Sequence, residues 1–156
     1  MFIDFPEVSV PVQGLDQVKL PKMYAVKQRY DAARITDIAG HMRKAMSALP
    51  GREAYRGKRL AVTVGSRGTP SLDVMIRTIC DVLKEWGAKP FIIPAMGSHG
   101  GATAEGQVEL LAGYNITESS VGAPVLSSME VVHYGDLPDG TPLYCDKYAW
   151  ESDGIV

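Results

Sequence analysis

From Lys58 onward the apolar positions alternate between two spacings. Leu60-Ala61-Val62-Thr63-Val64 is a short apolar run rich in β-branched residues, and such a run predicts a buried strand. Gly65-Ser66-Arg67-Gly68 then makes a loop. Thr69 as N-cap and Pro70 in the first turn open a helix. Its apolar stripe is Leu72, Met75, Ile76, Ile79, Leu83 and Trp86, at helical spacing, and Gly87 ends it. The pattern repeats. Phe91-Ile92-Ile93-Pro94-Ala95 predicts a second buried strand and Gly97-Ser98-His99-Gly100-Gly101 a second loop. A helix follows from near Thr103, turns Val108 and Leu111 inward and stops at Gly113. Strand, loop and helix twice over predict a parallel sheet, and right-handed crossovers put both helices on one face.

The flanks are less regular. Pro6, Pro11 and Pro21 punctuate the start, which reads as short edge strands or an arm. Met23 to Tyr30 has the composition of a strand. A helix is expected from about Asp37, capped by Thr36 or Asp37, with Ile38, Met42, Ala45, Met46 and Leu49 as its stripe and Pro50-Gly51 as its stop. After Gly122, Glu130 to Tyr134 and Leu143 to Asp146 flank the turn-rich Asp136-Leu137-Pro138-Asp139-Gly140, which predicts a hairpin. Asp153-Gly154-Ile155-Val156 opens another apolar run at the chain's end, as expected of a piece of a longer protein. The fold class expected is α/β: a Rossmann-like three-layer domain over residues 58–156, with a mainly parallel sheet and a hairpin, preceding a C-terminal domain. Residues 1–57 are expected to form an arm and a helix packed on that core.

Composition narrows the function classes. A chain of 156 residues suits one domain with a small appendage, and 46% apolar with 22% charged residues is ordinary for a globular protein. The formal net charge of -2 lacks the basic excess of a nucleic-acid surface, and nothing suggests a membrane-binding face. Asp4 stands where a signal peptide carries bases, and no apolar run approaches the length of a membrane span. The expected location is the cytoplasm. Cys80 and Cys145, the two cysteines, form no C-x-x-C pair and read as free thiols, which fits a reducing compartment.

The chemistry belongs in the two glycine loops. In open α/β sheets, ligands bind outside the C-terminal ends of the strands, and both loops leave such ends and run into helix N-termini. If the strands are neighbours, the loops share one crevice where free backbone N–H groups favour an anion. Arg67 lies between two glycines and can grip a carboxylate or phosphate with two parallel hydrogen bonds. His99 lies among Gly97, Gly100 and Gly101, and imidazole chemistry suits general acid–base work. The other candidates are weaker. His41 lies on the polar side of a helix, and His133 lies in a strand with no partner at metal-ligand spacing. Ser98 is not in a G-x-S-x-G elbow, because Met96 takes the first glycine position. Neither loop carries a G-x-G-x-x-G or Walker signature.

The string from Pro94 to Gln107, Pro-Ala-Met-Gly-Ser-His-Gly-Gly-Ala-Thr-Ala-Glu-Gly-Gln, resembles the N-terminal domain of the nickel-dependent lactate racemase family. The resemblance extends to Val64-Gly65-Ser66-Arg67-Gly68-Thr69-Pro70, Ile116-Thr117-Glu118, Gly122-Ala123-Pro124, Ser128 to Val132 and Asp153 to Val156. It implies a 2-hydroxy-acid racemase or epimerase that uses a nickel pincer nucleotide, a cofactor that takes a hydride from the substrate carbon and returns it to the other face. His99 matches one of two histidines that trade the hydroxyl proton, and Arg67 matches the arginine that helps hold the substrate carboxylate. Ser66, Gly68, Gly97 and Ser98 are the candidate cofactor contacts. The second histidine, the cofactor-bonded lysine and the nickel-ligand histidine are expected beyond Val156, in a C-terminal domain, so these residues alone are expected to be inert. Where the family has an aspartate three residues before the arginine, this chain has Val64. Two other function classes share the same features: another α/β oxidoreductase or lyase, and a non-catalytic module that binds small anions.

Overall fold

The computed structural model of the protein describes Gly14, residues 17–19, 21–31 and 33–156. The chain divides into two compact units, Met1–Ala33 and Arg34–Val156. In the first, the expectations at Pro6 and Pro11 lie outside the described residues. The strand expected over Met23 to Tyr30 does not form: the segment has no helix or strand, and Met23, Tyr24, Val26 and Tyr30 are exposed. A strand needs a neighbour for its backbone N–H and C=O groups, and this segment pairs with none among the described residues.

The second unit is a mixed α/β structure. Its helices and strands, in order, are α1 (Ile38–Ser47), β1 (Arg59–Val64), α2 (Leu72–Glu85), β2 (Lys89–Pro94), α3 (Ala104–Gly113), α4 (Glu118–Val121), β3 (Val131–Asp136), β4 (Pro142–Asp146), α5 (Lys147–Trp150) and β5 (Gly154–Ile155). β1 and β2 pair in parallel from Arg59↔Lys89 to Val64↔Pro94, as the βαβα pattern predicts. β5 joins the other side of β1 in parallel, so the sheet order is β2-β1-β5. Val125 adds a single parallel bridge to Ile92 on the far side of β2. β3 and β4 form the expected hairpin, with an irregularity between His133 and Gly135.

Side-chain alternation along β1 sorts the core into two layers. Leu60, Val62 and Val64 pack with Ile76, Cys80 and Leu83 of α2, with Leu111 of α3, and with Ile116, Val121 and Ala123 beyond it. Both long helices therefore lie on one face of the sheet. Ala61, Phe91 and Ile93 point to the other face and pack with Ala149 of α5. α1 buries no residue fully; Met46 touches the core while Leu49, expected in its stripe, is exposed. Asp37 caps α1 by accepting from Gly40 N. Arg43 ties α1 to α2 through Glu85 at 2.7 Å.

Two local expectations need correction. Thr69 is not the N-cap of α2. Leu72 N bonds Thr69 O at 3.2 Å to make a turn, and Ser71, left-handed at φ 59°, stands at the cap without a side-chain hydrogen bond. Pro70 thus belongs to the turn rather than to the first turn of the helix. In α3, Leu111 is buried as expected, but Val108 is exposed and Gln107 takes the inward place. Gln107 and Leu111 are separated by one helical turn, whereas Val108 is rotated about 100° from Gln107. No helix among the described residues is long and apolar enough to cross a membrane.

Candidate functional site

β1 and β2 end side by side, and Ala95 N extends their ladder by donating to Val64 O at 2.8 Å. The two glycine loops therefore start from neighbouring strands and face one cleft of about 360 Å³. Ser66, Arg67 and Thr69 line it from the first loop, Ala95, Met96 and His99 from the second. Met96 is buried and Leu72, at the start of α2, is half-buried; together they give the cleft an apolar side. No aspartate or glutamate lines it, so its one formal charge is that of Arg67. Such a lining favours an anion with an apolar portion.

Arg67 is exposed and makes no ion pair with any described residue. His99 precedes the short 3₁₀ turn Gly100–Ala102, and its Nδ1 lies 2.5 Å from Ser66 Oγ. The structure thus brings Ser66, Arg67 and His99 together. Gly68, Gly97 and Ser98 lie in the same loops but do not line the cleft. Gly68 packs toward the Tyr114 ring instead.

The second loop rests directly on the first turn of α3. A Cβ on Gly100 would come within 2.6 Å of the backbone of Gly106 and Gln107, and Gly100 has φ +65°. Only glycine permits both the left-handed backbone and that approach. Thr103 caps α3 by accepting from Gly106 N at 3.1 Å.

Two supporting side chains were not legible as site residues. Gln107, buried, donates from Nε2 to Gly97 O at 2.9 Å and His99 O at 3.4 Å. Tyr114 OH donates to Ser66 O at 2.8 Å. The available signal was a polar residue one turn before Leu111, on the inward face. Asp73, in the first turn of α2, accepts from Asn115 Nδ2 at 3.1 Å, and that hydrogen bond holds its carboxyl below the usual range.

The remaining titratable candidates lie elsewhere. His41 is exposed on α1. His133 stays within the hairpin, where its Nε2 meets Asp136 Oδ1 at 3.0 Å. Cys80 is fully buried and Cys145 half-buried, and burial pushes the Cys80 thiol up to about 11. Among the described residues, no group of three or more His, Cys, Asp or Glu side chains stands ready to hold a metal ion.

Fold and site together define a mixed α/β protein with a cleft, lined by Arg67, His99 and apolar side chains, at the C-terminal edge of a parallel sheet. Comparison with known families, characterised proteins and solved structures finds no match for the chain.

Proposed function

We propose that this chain supplies the carboxylate-binding and proton-handling side of a 2-hydroxy-acid racemase or epimerase. The observation that carries the reading is the shared cleft, which Arg67 and His99 both line. A 2-hydroxy acid presents a planar carboxylate next to a hydroxyl-bearing carbon. Arg67 grips the carboxylate with its fork. Racemisation removes the carbon's hydrogen as hydride, for which the cofactor implied by the resemblance would be the acceptor, and it removes the hydroxyl proton, which His99 takes up. Met96 and Leu72 meet the substrate's carbon chain.

The nickel pincer nucleotide belongs to this proposal only through the family resemblance. The described residues form no ligand set for nickel, so no step is derived through the metal. On this reading the sheet is the core of a Rossmann-like domain, the remaining cofactor ligands belong to a C-terminal domain of the same protein, and the enzyme works in the cytoplasm.

The test is to incubate the complete gene product, isolated with its cofactor, with single enantiomers of 2-hydroxy acids and follow enantiomeric excess by chiral chromatography. The reading expects excess to decay, and His99→Ala to slow the decay by about 10²–10⁴-fold, the usual worth of a positioned acid–base. Hydride exchange with a nicotinamide would instead mark an oxidoreductase. Carboxylate binding that survives His99→Ala, with no turnover under any cofactor, would mark a binding module.

A further inference from the structure

We infer that Ser66, placed above among the candidate cofactor contacts, is instead a positioning residue that sets which nitrogen of His99 faces the ligand, and that α3 holds this pair in place. The inference rests on reading His99 as the proton-handling group.

A histidine base needs a lone pair toward its substrate. Nδ1 is engaged by Ser66 Oγ at 2.5 Å, and Nε2 makes no hydrogen bond with any described residue. Nε2 is therefore the nitrogen left to react, and for Nε2 to act as a base the neutral ring must carry its hydrogen on Nδ1 and donate it to Ser66 Oγ. Which ring nitrogen is protonated follows from the hydrogen bond the other makes. In that arrangement the serine oxygen accepts from Nδ1–H in the neutral ring and in the protonated one alike. The contact persists while Nε2 gains and loses its proton. No carboxylate forms an ion pair with His99 among the described residues.

The pair spans two loops whose glycines at positions 68, 97, 100 and 101 adopt left-handed backbone, and such loops are not stiff on their own. α3 supplies the stiffness. Tyr114 OH holds Ser66 by its carbonyl, and Gln107 Nε2 holds the carbonyls of Gly97 and His99. Gln107 lies within α3 and Tyr114 at its C-cap, about two helical turns further on. One helix thus grips both halves of the contact. That matters because a displacement of about 1 Å at a reacting group costs roughly 10²-fold in rate.

The test reads the His99 ring by long-range ¹H–¹⁵N correlation on the full chain, with His99→Gln identifying its signals. Neutral His99 is expected to be protonated on Nδ1. Ser66→Ala is expected to move the proton to Nε2, the form a free histidine side chain prefers, and Ser66→Thr, which keeps the hydroxyl, is expected to restore Nδ1–H. Tyr114→Phe is expected to give a mixture of the two forms. Unchanged amide signals over Leu60–Val64 show that each variant is folded. A wild-type ring protonated on Nε2, or a Ser66→Ala ring identical to wild type, overturns the role of Ser66. A Tyr114→Phe ring identical to wild type overturns the brace. The wild-type measurement stands even if a variant does not fold. It also needs no substrate: absence of racemisation with the expected tautomer would reject the proposed reaction and leave the positioning role intact.

Discussion

Arg67 and His99 carry the reading, and each predicts a different kinetic signature. Lysine keeps the charge of Arg67 but loses its planar fork. Arg67→Lys is therefore expected to weaken binding of 2-hydroxy carboxylates roughly tenfold or more, as expected for losing a charge-assisted hydrogen bond worth about 1.5–3 kcal/mol, with calorimetric titration as the measurement. Equal affinity in the variant would remove Arg67 from the site. Cys80 gives a prediction independent of function. Its thiol, pushed up to about 11 by burial, is protonated at neutral pH and has no path to solvent. It is expected to stay unmodified by a thiol reagent in the native protein and to react on unfolding; prompt native reaction at Cys80 would contradict the packing described. At this scale the loop positions of Arg67 and His99 were legible from strand–glycine–helix order. The Ser66–His99 contact was not, because it joins residues 33 apart and no local pattern encodes it.

Among the elements, β5 shows how a short strand is held. Asp153 accepts from Arg59 N at 2.8 Å and Lys58 Nζ at 3.1 Å, just before β5 pairs with β1. These bonds, the backbone one first, hold its carboxyl below the usual carboxylate range. A carboxyl with a lower value folded than unfolded stabilises the fold above its unfolded value and loses that contribution as pH falls through the folded one. Asp153→Asn is therefore expected to flatten the fall in melting temperature below about pH 4. An unchanged pH profile in the variant would mean that Asp153 titrates alike in both states. Gly100→Ala tests the seat of the second loop on α3. A methyl group there would meet backbone at 2.6 Å, so the loop must shift, and ligand binding is expected to fall together with stability. Helix existence was legible here, whereas the caps and the exposed Val108 were not. The Thr69-Pro70 signature suits a helix start and a preceding turn equally, and the apolar period of α3 gives way to a buried glutamine that serves the loops.

For the molecule as a whole, the two-faced sheet follows from alternation in β1 and β2. Leu111, fully buried where α3 meets the sheet, is a direct probe of that layer. Leu111→Ala is expected to cost roughly 2–5 kcal/mol, read as a lower denaturation midpoint. The parallel pairing of β1 with β2 was legible because a helix of the right length joins two apolar runs. The place of β5 was not: its pairing with β1 crosses the whole unit, and packing decides it. Met23 to Tyr30 shows the converse, a strand-like composition without a partner among the described residues.

The central claim is that the two glycine loops form one site for a 2-hydroxy carboxylate. It is tested most directly by titrating a 2-hydroxy acid into isotope-labelled protein and following backbone amides by NMR. The account predicts saturable shifts confined to residues 65–69 and 95–101, abolished in Arg67→Ala. Saturable shifts elsewhere, or shifts that persist in Arg67→Ala, would contradict it.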